Sequence, residues 1–209
     1  MRPDNHHAVV LGASMAGLSA ARVLADAYER VTVLDRDTLP AAGEHRRGVP
    51  QSRHAHALLA SGRAALEELF GGLTDELVAA GALVADVQAN LRWHNDGRLL
   101  RQAPAGLTAL MVSRPLLEGR VRDRVRSLDN VRVVDRCQVT GLAATPDGRA
   151  VAGARVIRRA GGGEELVAAD LVVDATGRGS RGPAWLEELG YRRPVEDRVE
   201  VGIAYTTRV

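Results

Sequence analysis

The residues best suited to chemistry near the start of the chain are two glycines and an acid. Gly12 and Gly17 follow a short apolar run, and Asp35 ends the next one. A dinucleotide-binding loop needs its first glycine for a tight turn and its last so that a helix can pack on the strand. An acid after the second strand accepts hydrogen bonds from a ribose diol. Ser14 stands where the middle glycine usually lets the backbone approach the pyrophosphate, and its small side chain weakens this fit without destroying it.

The spacing of apolar residues predicts the elements that would position this loop. Residues 8–11 are predicted to form a strand, 16–28 a helix and 31–34 a second strand, so that Asp35 lies at a strand end. NAD and FAD both suit this arrangement, whereas the negative charge of Asp35 argues against a 2′-phosphorylated nucleotide. The alternative interpretation is a nucleotide-free α/β turn with an exposed acid. A hydrolase nucleophile elbow fits less well, because the closing glycine falls one residue late.

Later segments predict an α/β fold with a mostly parallel, Rossmann-like sheet and an added antiparallel β-layer. Helices are predicted over 53–70, 74–82 and 114–128, and Asn95-Asp96-Gly97 indicates a hairpin. One long strand is predicted over 164–175, and the alternating residues 199–205 are predicted to be an edge strand or frayed. The arginines at alternate positions 120–126 are predicted to form a solvated helix face, and His54 and His56 to lie on a helix as a poor metal pair.

Composition excludes several classes of chemistry. All 28 basic residues are arginine, so neither a P-loop lysine nor a Schiff-base lysine is available. Cys137 is the single cysteine, which predicts a core residue, no disulfide and no cysteine-rich metal site. The net charge of +2 gives no reason to expect nucleic acid as a partner. No apolar run approaches the ~20 residues of a membrane span, so a cytoplasmic location is the expectation.

Four motifs, taken together, resemble one enzyme family. They are "VVLGASMAGLSAARVLAD", "VTVLDRD", "VPQSRHAHALL" and "VVDATGRGSR", and "SRPLLEGRVRDRV" is similar to a fifth family segment. The combination resembles the N-terminal portion of FAD-dependent oxidoreductases of the group A flavoprotein monooxygenase type, with their squalene-epoxidase-like and geranylgeranyl-reductase-like relatives. The motifs are spread over nearly the whole chain, and their combination is more specific than any one of them.

This resemblance implies roles for residues around the first two strands. Asp35 would bind the adenosine ribose of FAD, and Arg36 would lie beside the adenine. The residues implied to hold the FAD pyrophosphate are Gly12, Ser14, Ala16 and Gly17.

The resemblance also implies roles for residues farther along the chain. Arg53 would lie in a loop near the flavin, and Arg114 would reach the ribityl-pyrophosphate region, where a guanidinium suits a phosphate. The strand around Val139 would line the adenine through its backbone. Asp174 and Gly177 would close over the FAD from below.

The function that the resemblance implies is an NAD(P)H-dependent flavin monooxygenase or epoxidase acting on a small apolar or polyketide-like substrate. The flavin carries the chemistry, so no catalytic side chain is assigned, and no metal is expected. The alternatives are a flavin-dependent prenyl-chain reductase and, in another class, a non-catalytic nucleotide-binding fragment.

The same resemblance implies the domain organisation. Residues 1–190 would form the FAD-binding domain, with a hairpin over 83–110 that leans toward the substrate side. Residues 191–209 would begin an incomplete substrate-binding domain, completed by a C-terminal segment or a partner chain. Weak FAD binding and no turnover are therefore expected from these 209 residues alone.

Overall fold

A computed structural model of the protein describes residues 6–159, 161–204 and 206. Short 3₁₀ turns occur at Pro50–Arg53 and Gly177–Gly179. In chain order the strands and helices are β1 (His7–Leu11), α1 (Met15–Ala25), β2 (Arg30–Leu34), β3 (Ala57–Leu58), α2 (Ala60–Leu69), α3 (Leu73–Ala79), β4 (Leu83–Asp86), β5 (His94–Asn95), β6 (Arg98–Leu99), β7 (Thr108–Met111), α4 (Arg114–Arg126), β8 (Val131–Val134), β9 (Cys137–Ala144), β10 (Val151–Arg158), β11 (Glu165–Ala168), β12 (Leu171–Asp174) and α5 (Gly182–Glu188).

The chain forms two compact units, and the first is built on a parallel sheet. This unit contains the described residues of Met1–Leu39 and Val125–Val209. Its four-stranded sheet has the order β12-β1-β2-β8, and every neighbouring pair is parallel. The central strand β1 is buried throughout, which explains why its sequence is a continuous apolar run. The fold class predicted from the sequence is confirmed.

The two faces of β1 pack against different layers, because successive side chains on a strand point to opposite faces. Val10 faces the first turn of α1, where its side chain lies close to Gly17. On the other face, an antiparallel sheet with the order β11-β10-β9 adds the predicted second β-layer. The core between the layers contains Val9, Leu11, Leu34, Cys137, Leu142, Ala154, Val156 and Trp185. The prediction that Cys137 is a core residue is therefore confirmed.

The second unit is Pro40–Arg124, an antiparallel sheet with helices. Its sheet has the order β3-β7-β4, and α2 packs against β7. The predicted turn is also present: β5 pairs with β6 in an antiparallel hairpin, with Asp96 and Gly97 both at positive φ. No helix among the described residues is long and apolar enough to cross a membrane.

Two predicted elements differ from the structure because tertiary pairing overrides local propensity. The helix predicted from residue 53 begins only at Ala60, since Ala57–Leu58 pairs instead with β7. His54 and His56 are therefore not on a helix, and His56 Nδ1 lies 3.0 Å from the carbonyl oxygen of Val112. The strand predicted over 164–175 is two strands in different sheets. Asp170 marks the break, because its carboxylate accepts the backbone N–H of His7 at 2.8 Å.

The alternating segment near the end of the chain is not a strand where it is described. Residues 191–204 have no regular secondary structure, and Val195, Val199, Val201 and Ile203 are exposed. No other strand lies beside this segment within the described residues, so its backbone has no ladder to join. Tyr205 lies outside the described residues. The predicted domain boundary at residue 190 stays a prediction.

Candidate functional site

The candidate site lies where three neighbouring strands of the parallel sheet end. Leu11, the last residue of β1, is in register with Leu34 of β2 on one side and with Asp174 of β12 on the other. Parallel strands place their carboxyl ends at one edge, and ligands of open α/β sheets bind in the crevice outside that edge. The structure thus brings the loop after β1 together with Asp35 and the turn after β12.

Gly12 occupies a position that no other residue fits. Its φ is +98°, and a Cβ added there would lie 2.8 Å from the carbonyl oxygen of Ala175. Its N–H donates to the carbonyl oxygen of Leu34 at 2.7 Å, which continues the β1–β2 ladder by one step. The tight turn predicted for the first glycine is present, and it is enclosed by the backbone that follows β12.

Gly17 makes the close approach predicted for the last glycine of the loop. A Cβ at this position would lie 1.8 Å from the carbonyl oxygen of Gly12. A side chain of any size would therefore separate the first turn of α1 from the strand turn. The contact fixes where the helix begins relative to β1.

Ser14 and Ala16 lie at the start of α1. Ser14 is the N-cap residue with extended backbone, and its carbonyl oxygen accepts the N–H of Leu18 at 2.9 Å. The first N–H groups of a helix have no intrahelical partner and carry a partial positive charge. The first turn of α1 contains no acidic residue, and Ala16 is exposed. This end of the helix therefore suits an anion such as a phosphate.

Asp35 is 7% exposed and holds the glycine loop in place. Its Oδ2 accepts the N–H of Ala13 at 2.7 Å, and its Oδ1 accepts the N–H of Asp37 at 2.8 Å. A carboxylate has about four acceptor positions, so a bond to the loop is compatible with a bond to a ribose hydroxyl. The contact with Ala13 was not predicted from the sequence, because neither residue's type signals it.

Arg36 and Val139 are the two residues that the sequence placed beside the adenine. Arg36 follows Asp35 directly and is exposed. The N–H of Cys137 donates to the carbonyl oxygen of Asp35 at 2.8 Å, which places the start of β9 beside the end of β2. Val139, two residues farther on, pairs with Val156 of β10 and packs partly against the core. The roles of Arg36 and Val139 toward an adenine stay predictions.

Asp174 holds its own turn together. Its Oδ1 accepts the N–H of Thr176 at 2.9 Å, and its Oδ2 accepts the hydroxyl of Ser180 at 2.6 Å. Burial raises the pKa of Asp174, but the hydrogen bonds from Ser180, Thr176 and Gly182 together outweigh it, so the pKa lies below its ordinary value. Gly177 opens the following 3₁₀ turn at a φ of +70°. The Asp174 carboxylate is therefore engaged by the N–H and hydroxyl groups of its own turn.

Arg53 and Arg114 belong to the second unit and are described within it. Arg53 ends the 3₁₀ turn and is exposed. Arg114 opens α4, and its Nε and Nη2 each lie 3.3 Å from Oε2 of Glu118. The cavity lined by Arg46, Arg114 and Glu118 measures about 10 Å³, which is room for about one water. As arranged, the cavity does not admit a phosphate group.

Glu118 is a residue next to Arg114 that the sequence analysis did not identify. It is 4% exposed, and its Oε1 accepts Nε of Arg46 at 2.8 Å. Its spacing of four residues from Arg114 was the available signal, since residues at i and i+4 meet on a helix. One carboxylate thus joins the start of α4 to the loop that contains Arg46.

The side of α4 that carries Glu118 also carries Arg122, and the prediction of a solvated arginine face is wrong there. Arg122 is 2% exposed, lies four residues after Glu118 and donates to the carbonyl oxygen of Pro40. A Cβ at Gly119 would lie 2.4 Å from Cα of Ala42, so the loop packs directly on the helix. Arg122 is buried because it faces this loop, whereas Arg126 is exposed as predicted.

Comparison with known proteins gives one close relative and many similar structures. The chain is 45% identical over 213 residues to the protein Rv3254 of Mycobacterium tuberculosis. The match covers 96% of this chain and 44% of Rv3254, so the chain spans less than half the length of that relative. No protein-family model matches the chain.

The similar solved structures show the fold. PqsL of Pseudomonas aeruginosa, a probable FAD-dependent monooxygenase, has a TM-score of 0.65 at 20% identity, covering 93% of this chain and 48% of PqsL. The p-nitrophenol 4-monooxygenase PnpA of Pseudomonas putida has a TM-score of 0.64 at 22% identity (87% and 43% covered). The myxobacterial FAD-dependent halogenase CndH has a TM-score of 0.62 at 24% identity (86% and 39% covered). This chain has the Rossmann-type fold found in these flavoenzymes.

Proposed function

We propose that this chain binds FAD and serves in a flavin-dependent monooxygenase reaction, with NADPH or NADH as the reductant. The observation that carries the proposal is the enclosed glycine turn. Gly12 and Gly17 leave no room for a Cβ, Asp35 is hydrogen-bonded to the same loop, and the turn after β12 packs against it. The likeness of the fold to FAD-dependent monooxygenases supports FAD over NAD as the resident dinucleotide.

The residues of the first unit fit the adenosine diphosphate half of FAD. The N–H groups at the start of α1 would hold the pyrophosphate, with Ser14 and Ala16 leaving the approach open. Asp35 would accept hydrogen bonds from the ribose hydroxyls, and its charge would repel a 2′-phosphate. Arg114, which belongs to the second unit, stays a proposed phosphate contact, and this role would require its pair with Glu118 to rearrange.

When bound, the flavin would supply the redox chemistry, taking electrons from a nicotinamide and activating oxygen. The residues of this chain would bind and orient the cofactor, and we assign none of them a proton-transfer role. The substrate we propose is a small apolar or polyketide-like molecule. The named activities of PnpA and CndH, on a nitrophenol and in halogenation, support only the breadth of chemistry that this fold serves.

A titration with three nucleotides tests the proposal. The protein is titrated with FAD, FMN and NADP⁺, and binding is followed by flavin fluorescence or by equilibrium dialysis. FAD should bind at least about tenfold more tightly than FMN, because FMN lacks the adenosine half that the loop and Asp35 would hold. NADP⁺ should bind more weakly than FAD, because the charge of Asp35 would repel its 2′-phosphate. Equal affinity for FAD and FMN would contradict the proposed site.

Oxygen consumption separates the monooxygenase from the reductase once FAD binding is established. Uptake of oxygen that depends on NADPH and rises with an apolar substrate supports the monooxygenase. Reduction of a prenyl double bond without oxygen uptake would identify the reductase instead. FAD binding with neither activity is the outcome expected of these 209 residues alone and equally of a non-catalytic nucleotide-binding fragment.

A further inference from the structure

A cavity in the second unit lies in the segment between β4 and β7. It measures about 300 Å³, the lower end of the range for small-molecule pockets. Its lining is mostly apolar, with one amide and one guanidinium, and consists of Val87, Gln88, Leu91, Trp93, Leu100 and Arg101.

Hydrogen bonds hold the walls of this cavity. Nε1 of Trp93 donates to the carbonyl oxygen of Val87 at 2.7 Å, and Nε2 of Gln102 donates to that of Ala89 at 2.9 Å. At the base, Asp86 accepts backbone N–H groups from both ends of the segment, including Gln88 at 2.9 Å. The cavity is therefore a built feature of the segment, although most of its residues are exposed.

The surface around the cavity combines exposed apolar side chains with positive charge. Trp93 is 52% exposed, and Leu99, Leu100 and Leu107 are exposed to a similar degree. Residues 87–107 contain three arginines, Arg92, Arg98 and Arg101, and the single acid Asp96. Among the described residues, no acidic side chain forms an ion pair with any of these arginines.

We propose that this cavity binds an amphipathic organic anion, with its apolar body against Trp93 and Leu100 and its carboxylate paired with Arg101. A wholly apolar ligand would bury the Arg101 guanidinium without a partner, which is unfavourable. A wholly polar ligand would leave the tryptophan and leucine surface in water. An anion with an apolar body satisfies both sets of groups, and an aromatic body adds stacking on the indole ring. The proposal is independent of flavin binding.

Tryptophan fluorescence of the full chain tests this site, because Trp93 is exposed and the other tryptophan, Trp185, is buried. The probes are 4-phenylbutyrate and its neutral analogue 4-phenylbutyramide. The carboxylate should shift the emission to shorter wavelength in a saturable way, and Trp93→Phe should abolish the shift. Arg101→Gln should weaken carboxylate binding by about fivefold and leave amide binding unchanged. The matched control Arg98→Gln, three residues earlier in β6 and outside the cavity lining, should bind as the unmodified chain does.

Three outcomes would overturn the proposal. The first is the absence of a saturable shift with 4-phenylbutyrate, and the second is equal weakening by the Arg101 and Arg98 substitutions. The third is a shift with phosphatidylglycerol vesicles but none with the soluble carboxylate, which would assign the surface to a membrane instead. Each outcome can be measured on folded protein. Arg101 and Trp93 are exposed, so their substitution leaves the core intact.

Discussion

The Oδ2 atom of Asp35 accepts a hydrogen bond of 2.7 Å from the N–H of Ala13, 22 residues earlier in the chain. The acid that would recognise the ribose is therefore also the residue that fixes the glycine loop. Loop position and ribose binding are coupled through one carboxylate, so a substitution at residue 35 affects both.

Replacing Asp35 with Ala should lower FAD affinity at least about tenfold, since each hydrogen bond to a charged acceptor contributes about 1.5–3 kcal/mol. It should also lower the free energy of unfolding by about 1–3 kcal/mol, because the N–H of Ala13 loses its partner. FAD titration and urea unfolding measure the two effects, with the exposed Asp129→Ala as control. An unchanged dissociation constant would falsify the role of Asp35.

Ser14 tests whether the loop approaches the pyrophosphate. Ser14→Gly should be tolerated or improve FAD binding, since glycine is nearly as good an N-cap as serine. Ser14→Leu should abolish binding, because a large side chain blocks access to the N–H groups of α1. Equilibrium dialysis against FAD measures the bound flavin of both variants. A leucine variant that binds FAD as the unmodified chain does would show that this loop does not hold the phosphates.

Gly17→Ala tests the contact between α1 and the strand turn. Alanine favours a helix by about 1 kcal/mol, but a Cβ 1.8 Å from the Gly12 carbonyl oxygen is impossible without moving the helix. The cost of the clash should exceed the gain in helix propensity, so the free energy of unfolding should fall by about 2–3 kcal/mol. Gly163→Ala is the control, because nothing lies within 4 Å of a Cβ there. Equal stability of the two variants would contradict the geometry.

Glu118→Gln tests the buried link between α4 and the loop before it. The substitution leaves Arg46, Arg114 and Arg122 without the buried carboxylate that they share, and breaking a buried ion pair costs about 3 kcal/mol or more. Glu76→Gln is the control: Glu76 pairs with two arginines, Arg120 and Arg124, but is more exposed, so about 1 kcal/mol or less is expected. Chemical denaturation compares them, and a smaller loss for Glu118→Gln than for Glu76→Gln would refute the account.

His7 makes stability depend on pH. Burial, foremost, and the nearby Arg30 hold the pKa of His7 below its ordinary value, although its hydrogen bond with the Ala168 carbonyl and the charge of Asp170 act in the opposite direction. The unfolded chain therefore binds this proton more readily, and stability is lost as pH falls below about 6.5. The urea midpoint should fall between about pH 8 and pH 5.5, and His7→Gln should reduce the fall. The exposed His94→Gln should leave the fall unchanged, and a pH-independent midpoint would contradict the prediction.

The sequence predicted the first strand, helix and second strand because local periodicity and glycine chemistry agree there. It did not predict the contact of Glu118 with Arg46, since this contact depends on which loop meets α4 after folding. The helix predicted from residue 53 was wrong for the same reason: Ala57–Leu58 is strand only because β7 lies beside it. Long-range pairing, absent from local patterns, decided these elements.

The central claim is that the turn after β1 holds FAD, and an absorbance spectrum of the purified protein tests it most directly. The protein is expressed, purified without added flavin, and then dialysed to equilibrium against FAD. Flavin absorbance on the protein side in excess of that in the dialysate, lost from the Ser14→Leu variant while Ser14→Gly retains it, is the predicted result. Equal flavin absorbance on both sides of the membrane, with protein shown to be folded, would contradict the assignment.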